Sequence, residues 1–265
     1  MSRTKIEWCT HTVNPVKGLC PMACDYCYAR RMYKRFKWDE TIRYISDWDM
    51  PLYHIPHSRW SALECNEAKV KPVRVFVGST MELFGDWISQ PILSDIFHKV
   101  RHARQHTFIF LTKQPQNLQK WSPFPDNCWI GVSLDLKKDK YKQHLLSPFE
   151  TIDHLQLIDA KVKFLSFEPL SDSLCIGFHP RWWADEFYRA GINWLILGQQ
   201  TPAKKSTTPK AEWIQEIVGT ADKATVPVFL KDNLKSLIFS DGIKYKALDW
   251  ALDNHCYLRQ ELPHV

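Results

Sequence analysis

No apolar run in the chain approaches the roughly 18 residues that a bilayer-spanning helix needs. The opening "MSRTKIEW" has no apolar stretch of the kind that a secretory signal carries. Both absences lead us to expect a cytoplasmic protein with no membrane partner. There is no internal repeat and no low-complexity tract, so neither a solenoid nor a disordered tail is expected. A disulfide framework is not expected either, because 265 residues bury enough core to need no covalent staple. Five of the eight cysteines, Cys9, Cys65, Cys128, Cys175 and Cys256, are scattered, and each reads as a small buried hydrophobe. Cys9 stands apart because it lies upstream of the other three. No C-terminal set of closely spaced cysteines follows, which argues against an auxiliary cluster. Nor does a fourth cysteine join Cys20, Cys24 and Cys27, which fall within eight positions of one another.

Hydrophobic residues make up 45% of the chain and charged residues 24%, a globular balance. Lysine and arginine exceed aspartate and glutamate by 35 to 29, giving a formal charge of +6. Much of that excess is local. The stretch "ARRMYKRFKW" carries Arg30, Arg31, Lys34, Arg35 and Lys37 directly after the cysteines. A solvated helix face is the ordinary explanation and a phosphate-facing surface the functional one. Tyr28 and Tyr33 interleave with these charges, a composition able to stack bases and neutralise phosphates, but no complete nucleic-acid motif accompanies it. The same groups could grip a nucleotide, a nucleic acid, a phosphorylated metabolite or an acidic electron donor.

Short β-branched and aromatic runs recur at 73–79, 106–112, 128–134, 162–169, 193–198 and 226–231. Several are apolar almost throughout, as parallel strands covered on both faces are. Between the first two, Ile88, Ile92, Leu93, Ile96, Phe97 and Val100 repeat at helical spacing. "SPFETIDHLQLI" opens with Ser147, Pro148 and Glu150, a capping box. Thr208 and Pro209 mark another helix start, with Trp213, Ile214, Ile217 and Val218 as its buried stripe. Strand and helix alternate, so we expect a parallel α/β protein, a barrel or an open sheet. Residues 39–72, which include Tyr53, His54, His57 and Trp60, read as an irregular aromatic-rich insertion before the second strand. "LDWALDNHCYL" reads as a last helix. The expected organisation is a barrel over 1–239, insertion included, with a C-terminal extension over 240–265 packed on it.

Polar residues follow many of these runs: Ser79 and Thr80, Thr112 and Lys113, Ser133, Glu168, Gln199 and Gln200, then Lys231, Asp232 and Asn233. In a parallel barrel such strand ends share one mouth, where active sites are built. Each residue alone could be a cap or a turn.

The C-x3-C-x2-C spacing lets one short loop wrap thiolates around a compact centre. Zinc normally takes four protein ligands, which His11 or Cys9 could complete, although the spacing is not that of paired zinc knuckles. A [4Fe-4S] cluster on three cysteines leaves one iron without a thiolate, open to an amine and carboxylate. Reduced structural thiols are the third alternative.

The string "CPMACDYCYA", with Tyr26 before the last cysteine, resembles the cysteine motif of the radical S-adenosylmethionine superfamily. Further pieces are similar to its phage Gp37/Gp68-like branch: "IEWCTHTVNPVKG", "VRVFVGSTMELFGDW", "FLTKQP", "WIGVSL", "LSFEPL" and "VPVFLKDNL", extending from residue 6 to 234. The resemblance implies a partial or complete parallel β/α barrel with the cluster loop after the first strand. It also implies an oxygen-sensitive enzyme that holds a [4Fe-4S] cluster on Cys20, Cys24 and Cys27 and reductively cleaves S-adenosylmethionine. The resulting 5′-deoxyadenosyl radical takes hydrogen from a substrate, with electrons from a low-potential donor such as flavodoxin or ferredoxin. Gly78, Ser79, Thr80 and Glu82 would then lie near the methionine amine. Lys113 and Ser133 would meet its carboxylate and ribose, and Glu168 the ribose or a substrate hydroxyl. Arg30, Arg31, Lys34, Gln200 and Lys231 fall on the substrate side. Relatives carry Ser-Asp where this chain has Met81 and Glu82, and Gly-Glu where it has "GQQ" at 198–200. Gln200 thus replaces a carboxylate by an amide that both donates and accepts. The competing class is a non-enzymatic zinc or iron–sulfur module that binds nucleic acid.

Overall fold

The apolar runs become strands because each supplies β-branched or aromatic residues at consecutive positions, and burial on both faces stabilises them. The computed structural model describes residues 1–48, 71–134, 136, 146–174, 180–239 and 249–264. Its main sheet has eight strands and is mostly parallel. In chain order the strands of this sheet are β1 (Ser2–Arg3), β2 (His11–Val13), β5 (Arg74–Val77), β6 (Thr107–Thr112), β7 (Cys128–Ser133), β8 (Val162–Phe167), β9 (Ile192–Leu197) and β10 (Val228–Leu230). Each is hydrogen-bonded to its predecessor in that order. The pairs β2–β5, β5–β6, β8–β9 and β9–β10 run parallel, and β1 runs antiparallel to β2. A separate two-stranded ladder pairs β3 (Val16–Lys17) with β4 (Arg43–Tyr44).

Two compact units divide the chain, one of residues Met1–Leu111 and Phe124–Trp129, the other of Thr112–Pro123 and Ile130–Val265. In the first, helix α1 (Tyr28–Phe36) follows the cysteines and α2 (Gln90–His102) joins β5 to β6. The α2 stripe is buried as its spacing predicts: Leu93, Ile96, Phe97 and Val100 all face inward. Phe97 meets Phe84, Phe110 and Phe124 at ring distances of 5.2 to 6.3 Å. Full burial of one such ring contributes about 2–3 kcal/mol.

In the second unit, α3 (Pro148–Gln156), α4 (Pro180–Ala190) and α5 (Ala211–Lys223) separate the strands. The capping box at Ser147 and Glu150 is present. Lys163 Nζ closes the other end of α3, donating to the carbonyls of Leu155 and Ile158, and burial lowers its pKa. Trp194 is fully buried, with Phe164 at 5.3 Å and Phe229 at 6.1 Å.

Four expectations change. Between β6 and β7 the chain makes only 3-10 turns at Pro115–Asn117 and Gln119–Trp121, so strand and helix do not alternate throughout. Helix α5 starts after Lys210 rather than at Thr208 and Pro209, because the Thr208 hydroxyl donates to the Lys204 carbonyl and closes the preceding turn. The segment 249–258 is not a helix. Asp253 accepts the N–H groups of His255 and Tyr257, Cys256 adopts a left-handed φ of 62°, and Leu252 bridges back to Leu258. An aspartate that captures nearby N–H groups offers the backbone a turn in place of a helix. Residues 259–261 then run along β10, with Leu230 N–H donating to the Arg259 carbonyl at 2.8 Å. Finally, Cys9 and Cys128 are buried as expected but Cys256 is exposed. Burial pushes the Cys128 thiol far above its usual range. Cys65, Cys175, Tyr53, His54, His57 and Trp60 lie outside the described residues, as does most of the 39–72 insertion.

Candidate functional site

The cysteine loop leaves the β3–β4 ladder and ends on a helix. Cys27 is the N-cap of α1, with extended φ and ψ, and its N–H donates to the Cys24 carbonyl at 3.0 Å. Ala23 sits at a φ of 51° in the left-handed region, a conformation that costs a non-glycine residue about 1–2 kcal/mol. Cys20, Cys24 and Cys27 line one small hollow together with Leu19, Met22 and Thr80. Backbone donors reach two of the sulfurs: Arg30 N–H donates to Cys27 Sγ at 3.4 Å and Glu82 N–H to Cys20 Sγ at 3.5 Å. Burial raises the Cys20 thiol pKa, and the negative charges of Glu82 and Cys24 add to the rise, against hydrogen bonds from Glu82 and Met22. Arg30, expected on the substrate side, lines the hollow and donates from Nη2 to the Cys20 carbonyl at 2.7 Å, tying the first cysteine to the helix that carries the third.

The residues after β5 stand beside this loop. Gly78 has a φ of +80°, and a Cβ there would lie 2.7 Å from the Leu83 side chain, so the tight turn needs glycine. Ser79 Oγ donates to Asn14 Oδ1 at 3.1 Å, and Thr80 N–H donates to the same oxygen at 3.2 Å. Tyr28 hydroxyl donates to the Ser79 carbonyl at 2.8 Å. Glu82 is buried, and its Oε1 accepts the Phe84 N–H at 3.0 Å. Thr80 and Glu82 therefore stand against the cysteines, with Gly78 and Ser79 in the same turn. Sequence reasoning missed Asn14. It follows β2 directly, and parallel pairing of Val13 with Val77 sets it beside the 78–80 turn.

In the second unit the predicted residues pair with one another. Lys113 Nζ donates to Ser133 Oγ at 2.5 Å. Glu168 accepts Lys231 Nζ on Oε1 at 2.5 Å and Ser166 Oγ on Oε2 at 3.1 Å, each partner of the ion pair having a side chain 19% exposed. Gly198 permits this approach, since a Cβ there would be 2.8 Å from Lys231 Cδ and 3.1 Å from Glu168 Oε1. Gln199 and Asn233 share three hydrogen bonds: Asn233 Nδ2 donates to the Gln199 carbonyl at 2.9 Å, Gln199 N–H to Asn233 Oδ1 at 3.2 Å, and Gln199 Nε2 to the Asn233 carbonyl. Gln200 is half-buried beside them in sequence, while Arg31 and Lys34 are exposed on α1.

Three thiols in one hollow, two of them receiving backbone N–H bonds and flanked by Leu19, Met22 and Ala29, suit an iron–sulfur cluster, whose cysteine sulfurs are tuned by such hydrogen bonds and by restricted solvent. Among the described residues no group of three or more His, Cys, Asp or Glu side chains is placed so that it could hold a metal ion. Cys9 and His11 lie toward the amino end of β2, whereas Asn14 and its 78–80 partners lie past its carboxyl end. The Cys9 thiol donates to the Ile6 carbonyl at 3.9 Å, and His11 Nδ1 lies 3.0 Å from Thr10 Oγ1.

No helix among the described residues is long and apolar enough to cross a membrane. No curated protein matches the chain. A family model described as a protein of unknown function, DUF5131, matches residues 3–241, a span that contains the cysteine loop, the 78–82 turn and the paired residues of the second unit. The chain belongs to the DUF5131 family of proteins of unknown function.

Proposed function

We propose that this protein is a radical S-adenosylmethionine enzyme, built on a partial parallel β/α barrel, with Cys20, Cys24 and Cys27 as the protein ligands of a [4Fe-4S] cluster. The observation that carries the reading is the meeting of the three thiols with Thr80 in one hollow, with Arg30 and Glu82 N–H groups donating to two of the sulfurs. A sheet in which each parallel strand adds beside the last supports the barrel part of it. A [4Fe-4S] cluster held on Cys20, Cys24 and Cys27 would supply one-electron reductive cleavage of the sulfonium of S-adenosylmethionine, with the electron from a low-potential donor, methionine as co-product and a 5′-deoxyadenosyl radical to take a hydrogen atom from substrate.

The chain's own residues have narrower tasks. Cys20, Cys24 and Cys27 would hold the cluster as thiolates, and with no fourth cysteine beside them an amine and carboxylate could take the remaining ligand place. Gly78 lets backbone approach closely, and the 78–80 carbonyls, fixed by Asn14 and Tyr28, offer acceptors for an ammonium group. Arg30 holds the loop in register. Lys113, Ser133 and Glu168 remain proposed polar contacts for carboxylate and ribose. Each is already paired within its unit, so it would act as part of its pair or after the pair opens.

Anaerobic reconstitution with iron and sulfide tests the reading. We expect about four irons per chain, a brown protein, and 5′-deoxyadenosine on reduction with S-adenosylmethionine present. Cys20→Ala, Cys24→Ala and Cys27→Ala should each abolish the product, and Cys256→Ala should leave it intact. Full turnover in any of the first three would overturn the ligand assignment. One tightly bound zinc per chain and no cleavage would favour a nucleic-acid-binding module instead.

A further inference from the structure

Residues 28–38 contain Arg30, Arg31, Lys34, Arg35 and Lys37 and no aspartate or glutamate, in a chain whose formal charge is +6. Helix α1 gives these charges a direction. Ala29 and Tyr33 are its buried residues, and Arg30 turns into the cysteine loop. Tyr28, Arg31 and Arg35 repeat at three- and four-residue intervals, so they share the outer face with Lys34, and all four are exposed.

The end of the helix adds a second feature. Phe36 and Trp38 are 52% and 43% exposed, and their rings stack at 5.4 Å with 22° between planes. The Arg35 guanidinium lies 5.2 Å over the Phe36 ring. Tyr33 meets Trp38 edge-on at 5.3 Å and fixes its position from the buried side. A helix face that only needs water requires the charges but not an exposed, oriented pair of rings beside them. The nearest acids downstream are Asp39, which is ion-paired with Arg43, and the exposed Glu40; Asp25 precedes the helix.

We propose that the outer face of α1 binds single-stranded nucleic acid, with phosphates on Arg31, Lys34 and Arg35 and a base stacked against the Phe36–Trp38 pair. Every base has a π-face, so such a platform combined with a basic track is the chemistry of single-strand binding. An acidic protein would neutralise the charges and leave the rings in water, and an intact duplex keeps its bases stacked inside. The nine residues of α1 extend about 14 Å, room for about four stacked nucleotides. Cys27 caps this same helix, so the proposal names the substrate class of the enzyme proposed above and rests on that reading for its catalytic meaning.

The test is fluorescence anisotropy on the full-length protein, metal-free and reconstituted, with a short fluorescein-labelled oligothymidylate, an oligouridylate of the same length and the matching duplex. We expect a single strand to bind more tightly than duplex, with log affinity falling against log salt at a slope of about −2 for three phosphate contacts. Substituting Arg31→Ala, Lys34→Ala and Arg35→Ala together should flatten that slope toward zero. Phe36→Ala and Trp38→Leu should each weaken binding about tenfold without changing the slope, and Trp38→Phe should keep most of it. Far-UV circular dichroism and iron content, unchanged across the series, separate lost contacts from lost folding. Equal binding by the triple variant, indifference to the aromatic substitutions, or equal affinity for duplex overturns the proposal. A protein that yields 5′-deoxyadenosine but ignores both oligonucleotides overturns this inference alone. One that binds them as expected but never takes up iron overturns only the enzymatic reading.

Discussion

Helix α3 begins at Ser147, whose hydroxyl accepts the Glu150 N–H while the Glu150 carboxylate accepts the Ser147 N–H at 2.8 Å. Helix α1 begins at Cys27, whose sulfur accepts the Arg30 N–H at 3.4 Å, and its first turn holds no acid. Serine and cysteine differ by one atom, but a hydroxyl is a strong acceptor and a thiol a weak one, so serine ranks among the best N-caps. A helix start built for stability resembles the first. The second gives up cap strength for a sulfur at the positive end of a helix. The polar groups of the two units repeat the contrast. In the second unit Glu168 meets Lys231 and Lys113 meets Ser133, whereas in the first the sulfurs of Cys20 and Cys27 receive backbone N–H groups.

The largest effect expected from this contrast comes from turning one start into the other. Cys27→Ser keeps the cap position and improves the acceptor, so the metal-free protein should be as stable as the parent or more stable by up to about 1 kcal/mol. Iron uptake should nevertheless collapse, because a neutral hydroxyl does not replace a thiolate corner of a cluster. Iron per chain after anaerobic reconstitution, set beside a urea melt of the metal-free protein, reads both quantities. A variant that retains its iron would remove the reason for a cysteine at that cap.

Next in size is the ion pair. Glu168→Gln keeps the shape and removes the counter-charge of the mostly buried Lys231, which should cost about 2–3 kcal/mol by urea denaturation. Adding Lys231→Met should recover part of the loss, since the pair would then be absent rather than broken. A single substitution with no effect would mean that solvent already screens the pair.

How much of this was legible depends on how far apart in sequence the partners stand. The strands, the α2 stripe and the Ser147 box rest on neighbours within one turn or one run, and the chain displays them directly. The three cysteines are equally local. Asn14 was not legible, because nothing near it in sequence asks for an amide; its partners Ser79 and Thr80 arrive only through the parallel pairing of β2 with β5. Glu168 and Lys231 were each visible as polar strand ends, but their pairing is made by the order β8, β9, β10. The β3–β4 ladder has two residues per strand, too short for any period to register. Arg30 was read with the charges around it, and only the fold of the loop turns it toward the Cys20 carbonyl. At 249–258 the signals for a last helix are weak, and one aspartate that captures two N–H groups makes a turn instead.

The smallest expected effect is on α3, and it closes the comparison from the other side. Ser147→Ala should destabilise the protein by about 1 kcal/mol while leaving iron uptake unchanged, the reverse of Cys27→Ser. The pH dependence follows from Glu150, whose pKa is lowered chiefly by the Ser147 backbone N–H and then by its side chain. A carboxyl with a lowered folded pKa contributes stability that is complete above its unfolded value of about 4.3 and is lost as pH falls through the lower folded value. Glu150→Gln should therefore melt below the parent at pH 7, with the gap narrowing as pH drops below about 4. Thermal melts of the two proteins at neutral and acid pH measure this. A gap that persisted in acid would mean that the carboxylate charge of Glu150 is not its source.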